Sequence, residues 1–217
     1  MIKIISFDLD GTLVKSSFAD KVWLEGVPRL YARRHNLSLE QAKTYTYKEY
    51  QKIGEEKKEW YDIEWWFSRF HLKDSWQQLL QDYKSHIELF PDAMETILLL
   101  QESYTLIIVS NAKREFIDIQ LEETRLRPHF TRVFSSLSDF NQVKKGPEVY
   151  ERVCQQLHCQ PYELLHVGDH KEFDYRSPRT SGIEALYLDR KQQENGERII
   201  HSLSEVEGIL RQRFLQE

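Results

Sequence analysis

Cysteine is nearly absent from this chain. The 217 residues include two, Cys154 and Cys159, whose spacing across an expected helix and its exit suits no bridge, so they read as free thiols of a reducing compartment. A basic excess is missing as well. Against 35 Asp and Glu stand 30 Lys and Arg, a formal charge of -5, which leaves no cationic surplus to track phosphates and argues against a nucleic-acid partner. No apolar stretch has the length of a membrane span, and the amino terminus shows no signal-peptide core followed by a small-residue cleavage site. Internal repeats and low-complexity tracts are also lacking. What remains is a composition suited to a packed core, with 40% hydrophobic and 12% aromatic residues, too apolar for disorder. The expectation is a soluble cytoplasmic protein, monomer or homodimer, built as one large domain or as a domain carrying an insertion.

Short apolar runs rich in β-branched residues recur at 2–7, 106–109, 133–134, 164–167 and 185–188, each brief enough for a buried parallel strand. Helix-like stretches separate most of them. One spans 91–101, with Pro91 suited to its first turn; Phe116, Ile119 and Leu121 mark another, and Val149, Val153, Cys154 and Leu157 a third after Pro147. A last helix opens with Ser202 and Glu205 at capping-box spacing. Strand and helix in alternation predict an α/β fold with a Rossmann-like parallel sheet. Residues 15–88 break the rhythm. They read as helices almost throughout, with Phe18, Val22, Leu30 and Tyr31 on one stripe and a capped start at Ser38 and Gln41. All five tryptophans fall there. The organisation expected is therefore a core domain of 1–14 and 89–217 with a helical domain inserted at 15–88. Trp65, Trp66, Phe67 and Phe70 are expected to fill the core of that insert.

The chemistry concentrates just past strand ends, where open parallel sheets bind ligands. Asp8-Leu9-Asp10-Gly11-Thr12 follows the first run, Ser110-Asn111 the second, and Gly168-Asp169, with Asp174 beyond, the run "LLHV". Lys144 and Lys145 precede the helix near Pro147. Carboxylates brought together in this way repel one another. A hard divalent cation bound through oxygen resolves the repulsion, and Mg²⁺ suits because it needs few protein carboxylates and shares phosphate oxygens readily. Asp8 and Asp10 stand one residue apart at a strand end, and Gly11 permits the chain to turn sharply there.

These four clusters, in this order, resemble the four motifs of the haloacid dehalogenase superfamily of phosphotransferases, and the helical insert resembles its type-1 cap. The resemblance implies a Mg²⁺-dependent phosphatase for a small phosphorylated metabolite. In it Asp8 would be the nucleophile and form an aspartyl phosphate, and Asp10 would be the general acid and base. Asp8, the Asp10 carbonyl and Asp169 would hold the metal, while Thr12, Ser110 and Asn111 would contact the phosphoryl group. The motif lysine would neutralise charge on Asp8 and phosphate. "KKGPEVY" lacks the usual first proline of the third motif, and register on Pro147 favours Lys144 over Lys145. Phe173 stands where asparagine is common, so Asp174 is expected to orient its loop or a metal-bound water rather than to ligate. His170 is expected at the loop or substrate edge; Lys15, Ser16, Phe18 and Lys113 are candidate contacts to the leaving group. A sugar-phosphate mutase, a haloacid dehalogenase (which Asp10 counts against) and a non-catalytic binding protein remain the alternatives.

Overall fold

The computed structural model describes residues 1–144 and 146–214, so the alternative lysine, Lys145, lies outside the described residues. Among these, six strands form one wholly parallel sheet: β1 (Ile4–Phe7), β2 (Thr105–Ser110), β3 (Arg132–Ser135), β4 (Leu164–Gly168), β5 (Glu184–Leu188) and β6 (Ile199–Ile200). Their order is β3-β2-β1-β4-β5-β6. The chain leaves β1 toward one side through β2 and β3, then returns to lay β4 on the other side. The switch point, where a crevice opens beyond the strand ends, therefore lies between β1 and β4. Five strands fall on the expected runs. The two-residue β6 was not expected, because it is too short to carry a periodicity and exists through its pairing with Tyr187 and Leu188.

Strands β1 and β4 are buried along their whole length, as central strands covered on both faces must be. Ile5, Phe7, Ile108 and Val167 face one layer, with Ile97 of helix Ala93–Leu100, Ile117 and Leu121 of helix Arg114–Glu123, and Val206 of helix Glu205–Phe214. Ile4, Ile107, Val109 and Leu164 face the other, against Val149 and Val153 of helix Glu148–Leu157. Each fully buried side chain of this size contributes about 1.5–3 kcal/mol. Two helix starts differ from expectation. The helix after Pro91 begins at Ala93, beyond Asp92, leaving Pro91 in the preceding turn. At the last helix the capping box is half formed: Glu205 accepts from the Ser202 amide at 2.8 Å, but the Ser202 hydroxyl donates to Asp92 at 2.7 Å.

Between β1 and helix Ala93–Leu100 the chain forms helices Ser17–Lys21, Val27–His35, Leu39–Ile53, Ile63–Arg69 and Trp76–Tyr83. Local signals set their starts. Ser38 and Gln41 close a reciprocal capping box, Asp62 accepts from the Glu64 and Trp65 amides, and Ser75 accepts from that of Gln78. Their core holds Phe18, Val22, Tyr31, Trp66, Phe67 and Phe70, all buried, while Trp65 is half-buried beneath the Arg69 guanidinium. Phe116 and Ile119, from the sheet-flanking helix, complete this cluster. Two crossing segments join the helical segment to the sheet: Lys15 donates its amide to Glu88 O at 2.8 Å and Phe90 to Leu13 O at 3.0 Å. Arg190 locks that junction, stacking 3.7 Å over Phe90, gripping both Asp92 oxygens at 3.0 and 3.1 Å and donating to Thr12 O at 2.8 Å. No helix among the described residues is long and apolar enough to cross a membrane.

Candidate active site

The loop after β1 folds back on itself at once. Leu9 O accepts from the amides of Leu13 and Val14, both at 2.9 Å, and Gly11 donates to Val14 O at 2.7 Å. Gly11 takes φ +82°, a conformation that L side chains resist, and a Cβ there would lie 2.2 Å from Asp169 Oδ2. The turn follows the strand directly, and Asp8 and Asp10 both line one cavity. Gly168 serves the neighbouring loop in the same way, since a Cβ on it would meet Asp174 Cγ at 2.4 Å.

Asp8, Asp169 and Asp174 each place a carboxylate oxygen within 4.8 Å of the other two. Lys144 reaches into this group, donating to Asp8 Oδ1 at 2.6 Å, Asp174 Oδ1 at 2.6 Å and Val109 O at 2.8 Å, with 1% of its surface exposed. Asp174 is saturated by protein: His166 Nε2 lies 3.2 Å from Oδ1, and the His170 amide donates to Oδ2 at 2.9 Å. Behind it, His166 Nδ1 pairs with the Ser6 hydroxyl at 2.8 Å across the β1–β4 register.

Three carboxylates and one ammonium leave a charge deficit, visible in their protonation. Burial pushes the Asp8 carboxyl well above the ordinary range, against the pull of Lys144 and with Asp174 and Asp169 adding to the rise. Burial, then Asp174, pushes Asp169 up to about 7. Burial would raise Asp174 too, but Lys144 and His166 hold it well below the usual value. Lys144 in turn resists the neutralising effect of burial because two carboxylates face it, and it stays firmly charged. Among the described residues, the second carboxylate oxygens of Asp8 and Asp169 receive no side-chain hydrogen bond, and these hard donors fit a Mg²⁺-type cation.

Asp10 stands apart from this group. Its Oδ2 receives Gln120 Nε2 at 3.4 Å, while its buried Oδ1 has no partner among the described residues, and burial raises the carboxyl to about 6. Ser110 lines the cavity, its hydroxyl accepting the Ala112 amide at 3.2 Å. Asn111 Oδ1 is already occupied by the Lys144 amide at 2.8 Å and the Ser136 hydroxyl at 2.6 Å, so it fixes the lysine as well as facing the cavity. Thr12 is a correction. Its side chain is buried, its hydroxyl donates to Asp169 Oδ1 at 3.2 Å, and it is not among the residues that line the cavity.

The cavity above these groups encloses about 440 Å³ and is roofed by the helical segment. Lys15, Ser16 and Phe18, expected at the leaving group, are not among its walls: Lys15 pairs with Glu88, Ser16 with Asp20, and Phe18 is buried against Phe116. Lys113 does line it, held by Asp62 at 2.9 Å and Glu64 at 2.8 Å, and so does His170, 3.4 Å from Glu55. Sequence reasoning missed Gln120, His166 and Tyr61. His166 had a signal, a polar residue inside an otherwise apolar strand run. Gln120 on its helix and Tyr61, whose hydroxyl approaches Asn111, had none.

Residues 5–188 match the family model of haloacid dehalogenase-like hydrolases. A phosphoglycolate phosphatase of Vibrio vulnificus is 29% identical over 206 residues, covering 86% of this chain and 83% of that protein. Pyrophosphatase PpaX of Bacillus thuringiensis is 28% identical over 176 residues, 77% of this chain and 74% of its own length. Among solved structures, the HAD phosphatase from Thermococcus onnurineus shares the fold with a TM-score of 0.86 at 24% identity, over 96% of this chain and 98% of that one.

Proposed function

The chain belongs to the haloacid dehalogenase-like hydrolases, and on that footing we propose that it is a Mg²⁺-dependent phosphomonoester hydrolase working through an aspartyl phosphate. The observation that carries the reading is the pairing of two acids with different surroundings in one cavity. Asp8 is held by the Lys144 ammonium at 2.6 Å, whereas Asp10 has an unpartnered buried oxygen and a carboxyl raised to about 6. This difference supports the reading of Asp8 as nucleophile and of Asp10 as proton carrier near neutral pH.

In the first half-reaction the free oxygen of Asp8 forms a bond to phosphorus as the bond to the leaving oxygen breaks. Protonated Asp10 gives its proton to that oxygen, so the alcohol departs neutral. In the second, Asp10 as carboxylate takes a proton from water, whose oxygen bonds to phosphorus while the Asp8–phosphorus bond breaks, freeing phosphate and restoring both acids. Lys144 keeps Asp8 oriented and offsets the charge that gathers on the phosphoryl oxygens; the Ser110 hydroxyl lies on the same wall. Asp8, Asp169 and the Asp10 carbonyl would hold Mg²⁺, which when bound supplies the remaining charge neutralisation. Residues 15–88 act as a cap that excludes water from the cavity. The named relatives, a phosphoglycolate phosphatase and a pyrophosphatase, support phosphate esters or anhydrides as the substrate class.

Purified protein with MgCl₂ should release phosphate from an aryl phosphate, and EDTA should stop it. Asp8→Asn should abolish turnover with the fold intact. Asp10→Asn should lower kcat by about 10²–10⁴, the usual contribution of a general acid, and let an acid-stable, hydroxylamine-sensitive acylphosphate accumulate. Undiminished turnover by Asp8→Asn would refute the assignment.

A further inference from the structure

Resting on the phosphatase reading above, we infer that the alcohol released carries a flat aromatic ring and no anionic group of its own, as in a nucleoside monophosphate. The cavity that holds Asp10 is also walled by Trp23, Tyr47, Trp60 and Tyr61 from the helical segment and by Phe116 from helix Arg114–Glu123. Its platform is fixed before any ligand arrives. Trp23 stacks on Phe116 at 5.8 Å with the planes 2° apart and meets Tyr50 edge-on at 5.9 Å; Trp60 abuts the same Tyr50 at 6.4 Å. Leu24 and Tyr47 line the cavity yet remain 46% and 55% exposed, apolar surface that a stacked ring would cover. At about 440 Å³ the cavity falls within the roughly 300–1,000 Å³ of organic-ligand sites, and a two-carbon acid would leave most of it to water.

Charge argues in the same direction. Among the described residues lining the cavity, the basic ones are Lys113, Lys144 and His170, and each already faces carboxylates: Asp62 and Glu64, Asp8 and Asp174, and Glu55. Asp20 adds a further negative group to the wall, its Oδ2 accepting from the Ser16 hydroxyl at 2.9 Å. Glycolate and phosphate, the leaving groups of phosphoglycolate and pyrophosphate, would arrive there as anions with no uncommitted cation among the described lining residues to receive them. A neutral ring with polar edges meets instead Gln51, Asp20 and Tyr61, polar residues that line the same cavity.

The test is phosphate release by the full chain with MgCl₂, comparing kcat/KM for AMP, UMP, pyridoxal 5′-phosphate and flavin mononucleotide with that for glycerol phosphate, phosphoglycolate and pyrophosphate. At least one ring-bearing ester should exceed glycerol phosphate by about 30-fold or more, and both anionic substrates by about 100-fold, since stacking one base on aromatic side chains is worth about 1–3 kcal/mol. The ring-bearing substrate that leads names the heterocycle. Trp60→Ala should lower the ratio of ring-bearing to ring-free kcat/KM about tenfold, mainly through KM; Tyr47→Ala, at the exposed rim, gives the same reading if the tryptophan variant fails to fold. Equal or faster turnover of phosphoglycolate or pyrophosphate overturns the inference, as does a ratio that both variants leave unchanged. Failure of the phosphatase reading looks different: every ester is then inert. In that case quenching of tryptophan fluorescence by AMP in Asp8→Asn protein still sustains a ring-binding chamber, and its absence overturns that too.

Discussion

Replacing Gln120 by leucine should move stability and activity in opposite directions. The side chain is wholly buried on helix Arg114–Glu123, donates Nε2 to Asp10 Oδ2 over 3.4 Å and leaves its own Oε1 without a partner. A bond at the long end of the range contributes about 0.5 kcal/mol, whereas an unsatisfied buried carbonyl costs about 1–3 kcal/mol. Leucine has nearly the same volume and removes both. Asp10 then keeps no protein donor, but a carboxyl already raised to about 6 takes up a proton near neutral pH for about 1.4 kcal/mol per pH unit. At pH 5, below the Asp10 value, that uptake costs nothing further and the balance is a gain of roughly 1 kcal/mol in unfolding free energy. Catalysis should suffer, because Gln120 is the one side chain among the described residues that hydrogen-bonds the Asp10 carboxyl and fixes its orientation. Losing part of the 10²–10⁴ that a placed general acid contributes should lower kcat by about 10–100-fold with KM nearly constant. Urea unfolding at unchanged m-value, run beside steady-state phosphate release, measures both. A variant whose kcat stays within about twofold of the parent, or whose kcat loss merely tracks a loss of stability, would refute the reasoning.

Gly11→Ala forces a side chain into φ +82° and sets Cβ 2.2 Å from Asp169 Oδ2, so Asp169 must move. Activity should fall more than about 100-fold for only about 1–2 kcal/mol of backbone strain, and the thermal stabilisation given by Mg²⁺ should disappear with it. Arg190→Ala removes two bonds to Asp92 and one to Thr12 O from a side chain 19% exposed, and should cost about 2–4 kcal/mol in denaturant unfolding. Metal-free protein should lose stability as pH rises. Asp169 and Asp10 have folded values of about 7 and about 6 against 3.8, so the folded state binds protons more tightly, and this contribution is complete below about 4 and lost through 6 to 7. Mg²⁺ should therefore raise Tm more at pH 8 than at pH 5, by calorimetry; an equal shift at both would sink the charge-deficit argument.

Much of the sheet and of the acidic loop was legible in the sequence because both are local. Apolar runs of two to six residues locate β1 to β5, and Asp8, Asp10, Gly11 and Asp169 follow strand ends directly. What stayed hidden depends on contacts between distant residues. Thr12 was assigned to the phosphoryl group by its motif, yet the structure turns its hydroxyl to Asp169, 157 positions away. Lys15 and Ser16 lie close to the motif in sequence but are diverted to Glu88 and Asp20, while the wall is supplied by Tyr47, Trp60 and Tyr61 from later helices. Gln120 shows most clearly why no local pattern suffices. It meets Asp10 across 110 positions, from a helix that gives Ile117 and Leu121 to the sheet core and Phe116 and Ile119 to the core of the helical segment. Its amide thus sits at the seam of two hydrophobic clusters. Because close-packed interiors transmit displacement rather than absorb it, any shift of the helical segment against the sheet acts on this helix, and through Gln120 on the carboxyl that handles the proton.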